Sequence, residues 1–125
     1  HKIGNHSFSH LSGYSTNNNK YLEDVEQAKK YIDSDIFRPP YGKITPFQIK
    51  NLKKDFKIIM WDIMSWDFKE NISSNKIYKN VIENVENGSI ILFHNNLKSY
   101  NNLKSSLEII LEKLKDKGYQ FSTTW

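Results

Sequence analysis

The chain has 125 residues, of which 38% are apolar. That is enough for one core burying roughly two thirds of the extended-chain surface, and too little to expect a second. Its 18 Lys and Arg against 14 Asp and Glu leave a formal charge of +4, a mild excess that does not by itself demand an anionic partner. The absence of cysteine excludes disulfides, thiolate metal ligands and a cysteine nucleophile. No apolar run approaches the roughly 20 residues of a membrane span.

In chain order, His1 to His6 reads as the middle of a strand and its exit loop, so the chain is expected to begin inside a larger domain. Ser12 to Lys20, rich in Ser, Asn and Gly, reads as a solvated loop. Leu22, Val25, Ala28 and Ile32 recur at helical spacing, with acidic residues and lysines assigned to the opposite, wet face. Ile36-Phe37 is a short strand stopped by Pro39-Pro40, neither of which can donate to a ladder. Thr45-Pro46 has the chemistry of an N-cap and first helical position, opening a helix through Leu52.

Phe56 to Ile63 is nearly continuously apolar and predicts one strand covered on both faces. Ser73 or Ser74 then caps a helix whose stripe is Ile77, Val81, Ile82 and Val85, ending at Gly88. Ser89 to Phe93 predicts a second buried strand with His94 at its end. Leu103, Leu107, Ile110, Leu111 and Leu114 share a face of the last helix, Gly118 stops it, and Tyr119 to Phe121 begins a final strand. Strands alternating with helices define an α/β fold with a mostly parallel sheet, either open or curled toward a barrel.

Sites in such folds collect where strands end. Four segments land there: His6-Ser7-Phe8-Ser9-His10, Arg38-Pro39-Pro40-Tyr41-Gly42, Trp66-Asp67-Phe68 and Leu92-Phe93-His94. They are expected to border one cavity. His6 and His10, four apart, could face one metal ion from a single helical turn, or be two solvent-exposed loop histidines. Nothing in their spacing selects Asp62 or Asp67 as a further ligand.

Arg38 is the one arginine beside 17 lysines, which suits bidentate contact to a carboxylate or another planar oxyanion if its choice is not chance. The prolines after it should stiffen an extended turn that offers the Tyr41 N–H as a preorganised donor. His94, beside an apolar wall, suits a general acid or base, with Asp67 placed to orient and pair with it, or else it is a structural histidine. Trp61, Trp66 and Trp125 read as core fillers by default, and Trp66, outside the apolar run, is the one best placed to meet a sugar ring. Lysines such as Lys50, Lys53 and Lys54 alternate with acids on predicted outer helix faces. No nucleic-acid motif, phosphate loop or serine elbow accompanies them.

The same four segments make the chain resemble the polysaccharide deacetylases, the NodB-homology or carbohydrate esterase family 4 domains. Gly4 to His10 resembles their His-Ser/Thr-x-x-His motif, Arg38 to Gly42 their Arg-x-Pro-Tyr/Phe motif, Trp61 to Phe68 their Asp-Trp region, and Ile91 to His94 their Leu-x-His motif. The resemblance spans essentially residues 1–125 and implies the C-terminal part of a catalytic domain. That domain would be a distorted (β/α) barrel whose N-terminal strands, with the Thr-Phe-Asp-Asp-Gly motif, lie upstream.

The resemblance implies a divalent metal, zinc before others, held by His6 and His10 with an upstream aspartate, and a second upstream aspartate as base. It implies that Arg38 orients that base, that the Tyr41 N–H stabilises an oxyanion, and that Asp67 tunes His94, which protonates the departing amine. Leu92 and Phe68 would enclose the acetyl methyl. The substrate implied is an acetylated amino-sugar glycan, with no nucleic-acid partner, and location is left open between cytoplasm and cell envelope or secretion. Phe68 stands where the family usually has Trp, Asn95 where Asp is common, and Met64 where an acid is frequent. A non-catalytic carbohydrate-binding descendant and an O-acetyl esterase are the competing readings. The chain as given is expected to show little deacetylation and weak metal affinity.

Overall fold

In a computed structural model, residues 1–123 are described, and Trp125 lies outside them. The chain divides into two units, His1–Met60 and Trp61–Trp125. Each holds its own core cluster, where length alone suggested one. The fold is α/β, with two small parallel sheets and four helices, and neither sheet closes into a barrel. It has the character of a distorted, incomplete (β/α) barrel.

In the first unit, helix α1 (Asn18–Lys29) starts on Asn17, whose side chain accepts the Asn19 N–H, and buries Tyr21, Asp24, Val25 and Ala28. That stripe corrects the expected one. Tyr21 joins the core, Leu22 is only half-buried, Ile32 lies beyond the helix, and Asp24 sits on the inner face rather than the wet one. Strand β1 (Ile36–Phe37) pairs in parallel with β2 (Lys57–Ile58) in the register Ile36 to Lys57 and Phe37 to Ile58. The expected opening strand is a single parallel bridge of Asn5 with Phe37.

Helix α2 (Pro46–Leu52) begins as its sequence predicts. Thr45 accepts the Gln48 N–H, Gln48 reaches back to the Thr45 N–H, and Pro46 stands at the first turn, where a missing donor costs nothing. Gln48 also donates to the Gly13 carbonyl and to Asn18, so its buried amide is fully used. Tyr21, Val25, Phe37, Ile44, Leu52 and Phe56 form this unit's core.

The predicted strand over Phe56–Ile63 is two strands in two sheets. After β2 the ladder continues only to the Ile59 N–H, and β3 (Ile63–Met64) pairs in parallel with β4 (Ile91–Leu92) in the second unit. Lys57 and Met60 are exposed and Ile58 and Ile59 half-buried, so the run is not covered on both faces within this chain. Strand β4 is shorter than the predicted Ser89 to Phe93.

Helix α3 (Ser74–Ile82) is capped by Ser73 and ends six residues before Gly88, leaving Val85 packed from the loop beyond. Helix α4 (Tyr100–Asp116) buries Ile110 and Leu114. Its end is a Schellman motif: Gly118, at φ 86°, donates to the Lys115 carbonyl and Tyr119 to that of Leu114. The Tyr119 N–H is drawn into that closure, its hydroxyl donates to the Val85 carbonyl at 3.0 Å, and the expected strand over 119–121 is not formed. No helix among the described residues is long and apolar enough to cross a membrane.

Candidate functional site

Parallel pairing decides where the candidate residues emerge. In the first unit the Asn5 bridge and β1 run the same way, with the Asn5 N–H donating to the Ile36 carbonyl and the Arg38 N–H to that of Asn5. His6 and Arg38 therefore leave the ladder at one end. The His6 and His10 ring centroids are 4.9 Å apart, and the His10 ring meets the Tyr41 ring edge-on at 4.7 Å.

The histidines do not converge through a helical turn, as their spacing suggested. Segment 6–10 is a loop, with Ser7 at φ 62° and His10 at φ 54°, and these left-handed residues turn the chain so that the imidazoles meet. The Asn5 side chain starts the turn by accepting the Ser7 N–H at 2.8 Å.

Asp24, which spacing placed in solvent, holds the middle of this loop. It is 7% exposed, and its carboxylate accepts the Phe8 N–H at 3.0 Å and the Ser9 N–H at 3.0 and 3.2 Å. Burial pulls the carboxyl upward, and the hydrogen bonds from Ser9 and Phe8 outweigh it, so Asp24 titrates below the ordinary carboxylate value. The sequence did carry a signal: Tyr21, Asp24, Val25 and Ala28 follow the i, i+3, i+4, i+7 pattern, which puts Asp24 on the apolar stripe.

The Arg38 carbonyl lies against His6 Nδ1. A carbonyl only accepts, so Nδ1 carries a proton. Burial lowers the pKa of the Arg38 guanidinium, which remains a cation. Pro39 is extended, but Pro40 does not continue the expected extended run. It opens a 3₁₀ turn, Pro40–Gly42, with Tyr41 at φ 59°. The Gly42 and Lys43 N–H groups close that turn onto Pro39 and Pro40, and the Tyr41 N–H is not drawn into it.

Two imidazoles on one tetrahedral ion, with metal–nitrogen bonds of about 2.1 Å, would hold their centroids roughly 5 Å apart. The His6–His10 separation and the proton held on His6 Nδ1 fit that geometry. Among the described residues no group of three His, Asp or Glu completes a metal site. Asp62 instead accepts the Ile90 N–H at 2.7 Å and secures the start of the β3–β4 pairing.

In the second unit β3 and β4 also exit together, and this brings Asp67 to His94. The Asp67 carboxylate, fully buried, accepts the His94 main-chain N–H at 2.7 Å and contacts His94 Nδ1 at 2.7 Å, and the Ser65 hydroxyl donates to it at 3.0 Å. As an acceptor only, the carboxylate fixes the proton on Nδ1 and leaves Nε2 for chemistry. Asn102 of α4 donates to the Asp67 carbonyl at 2.7 Å and ties this loop to the helix.

The Phe68 ring stands edge-on to His94 at 4.7 Å and Trp66 lies 5.5 Å from Phe68, while Leu92 is buried in β4. Trp66, at φ 65°, is partly exposed, with Lys69 Nζ 4.1 Å from its ring centroid. It borders an open cleft of about 700 Å³ with Lys69, Asn71, Ser73, Lys76 and Asn80. The structure thus groups His6, His10, Arg38 and Tyr41 in one unit, and Trp66, Asp67, Phe68, Leu92 and His94 in the other.

The paired imidazoles of one unit and the Asp–His couple of the other, each on parallel strand exits of an α/β fold, lie in the segments that carry the resemblance to the polysaccharide deacetylases. A peptidoglycan-N-acetylglucosamine deacetylase of Bacillus cereus is 29% identical over 133 aligned positions, which cover 98% of this chain and 61% of that protein. Among solved structures, that of the Bc1960 peptidoglycan N-acetylglucosamine deacetylase superposes with a TM-score of 0.85 at 29% identity, over 98% of this chain and 60% of the other. A family 4 acetyl xylan esterase from Clostridium thermocellum, in complex with a cobalt ion, gives 0.83 at 25% identity, over 98% and 61%. No protein-family model matches the chain. The chain belongs to the polysaccharide deacetylase family, the NodB-homology or carbohydrate esterase family 4 domains. It spans about three fifths of the length of these relatives.

Proposed function

We propose that the protein carrying this chain is a metal-dependent hydrolase that removes N-acetyl groups from an amino-sugar polysaccharide or oligosaccharide. The observation that carries the reading is the Asp67–His94 pair: a buried carboxylate fixes the imidazole through both its ring and its main-chain N–H, which is how a proton donor is held in register. A divalent ion, zinc before others, would be held by His6 and His10 together with a ligand from outside the described residues. When bound, it would supply Lewis acidity toward the acetamide carbonyl.

The remaining roles belong to this chain's own side chains. His94 gives a proton from Nε2 to the departing amine, and Asp67 keeps Nδ1 protonated and the ring oriented. The Tyr41 N–H donates to the developing oxyanion, and Arg38 orients a carboxylate base. Phe68 and Leu92 form the apolar wall for the acetyl methyl, and Trp66 offers a face to a neighbouring sugar. The likeness to an acetyl xylan esterase supports attack on O-acetyl groups by the same residues.

A second reading is a non-catalytic glycan binder, in which the exposed Trp66 and its cleft meet sugar rings and the His6–His10 pair serves no reaction. Acetate release from N-acetylated glucosamine oligomers by the full-length product separates the two. The deacetylase reading predicts metal-dependent release that His94→Ala lowers at least a hundredfold. Oligomer binding without release under any divalent metal would establish the binder.

A further inference from the structure

We infer that Asp24 is a positioning residue for the His6–His10 pair, acting through the main chain of the loop between them. The inference rests on the reading of that pair as a metal-binding element. Segment 6–10 is the arc that brings the two imidazoles together, and its flanks are held by other groups. Ser7 N–H is held by Asn5, and His6 Nδ1 by the Arg38 carbonyl. The centre of the arc, Phe8 and Ser9, takes its side-chain acceptor from Asp24 alone among the described residues.

A buried carboxylate accepting two consecutive main-chain N–H groups is charge-assisted twice over, so the loop is fixed where a neutral acceptor would hold it loosely. The Asp24 main-chain carbonyl adds a longer contact to the Phe8 N–H, at 3.3 Å. Without that grip, a five-residue arc with Ser7 and His10 in the left-handed region has a cheaper extended alternative, and the histidines part. Nor does the core need a carboxylate at this helix position. Its neighbours on the stripe, Tyr21, Val25 and Ala28, are the packing residues. The one visible use of the charge is the loop, and the loop's one chemical feature is the imidazole pair. Asp24 thus stands one step behind the ligands, as the acceptors behind metal-binding histidines generally do.

The test is Asp24→Asn, which keeps shape and one acceptor oxygen, compared with Ile110→Val, a mild core variant in the other unit. Two readouts are taken on the 125-residue chain by nuclear magnetic resonance. Without metal, the parent and Ile110→Val should show cross-relaxation between the His6 and His10 rings, and Asp24→Asn should lose it while the Val25 and Phe37 signals stay native. With zinc added, Asp24→Asn should need roughly 10- to 100-fold more ion to shift both imidazoles.

Retention of the ring-to-ring signal in a folded Asp24→Asn, or zinc affinity within twofold of the parent, would overturn the inference. Loss of the ring signal in Asp24→Asn with no zinc response in any variant would support the positioning role, because the further ligand of the proposed site lies outside the described residues. Should Asp24→Asn not fold, Asp24→Glu, which keeps the charge and moves the carboxylate, must show the same separation of the rings for the inference to stand.

Discussion

Replacing Asp67 with Asn removes one of two oxygens from a fully buried group that meets three donors. The His94 main-chain N–H can only donate, so the single amide oxygen must face it. The new NH₂ then points at His94 Nδ1 and the Ser65 hydroxyl. Both can turn acceptor, the imidazole by moving its proton to Nε2, so the substitution inverts the tautomer and takes from the buried Ser65 hydroxyl the oxygen it donates to. Charge-assisted bonds, worth about 1.5–3 kcal/mol each, become neutral ones worth about 0.5–1.5, a loss of about 1 kcal/mol per bond and about 3 kcal/mol over the three. Urea denaturation of the chain measures that loss. Nitrogen-15 spectra at about pH 9, above the ordinary imidazole range, report the tautomer. In the full-length product, acetate release should fall roughly 10²- to 10⁴-fold. A His94 that keeps its proton on Nδ1 in the variant, or activity within tenfold of the parent, would refute the reasoning.

Other expectations follow from the first unit. A Cβ at Gly13 would collide with the Lys43 carbonyl oxygen and the Gln48 amide, both of which are committed to hydrogen bonds, so Gly13→Ala should cost about 1–3 kcal/mol in the urea midpoint. The Tyr21 hydroxyl is buried with no hydrogen-bond partner among the described residues, and burial, aided by the Asp24 charge, raises its pKa to about 12. The unfolded phenol ionises near 10, so the folded state binds the extra proton between these values, and stability should be full below pH 10 and fall toward 12. Tyr21→Phe should be neutral or slightly stabilising at pH 7 and should flatten that alkaline fall in stability-versus-pH curves. Asp24 gives the opposite slope. Its lowered pKa means a contribution present above the ordinary carboxylate range and lost as the pH drops through the folded value, a loss Asp24→Asn should not show.

The parts of the fold readable from sequence are those set by neighbouring residues. Thr45, Pro46 and Gln48 carry a complete helix start within four positions, and Gly118 carries a helix stop, because capping is local chemistry. The clustering of His6 with Arg38, and of Asp67 with His94, follows once parallel strands are assumed, since residues one or two past each strand must share an end. What sequence concealed depends on distant partners. Apolarity from Phe56 to Ile63 predicts burial but not which strand each half pairs with, and the two halves pair with β1 and β4. The buried face of Asp24 is set by donors 15 and 16 residues away, and a polar residue on a helical stripe was read as solvated because those donors are invisible locally. A spacing of four suggested a helical turn at His6 and His10, although the left-handed Ser7 and His10 achieve the convergence in a loop.

The central claim is that the His6–His10 pair serves a metal on which deacetylation depends. It is tested most directly by stripping divalent ions from the full-length product, restoring zinc, and measuring acetate released from N-acetylated glucosamine oligomers, in the parent and in His10→Ala. The account predicts release that vanishes on stripping, returns with zinc in the parent, and does not return in His10→Ala. Undiminished release from the stripped protein, or full recovery in His10→Ala, would contradict it.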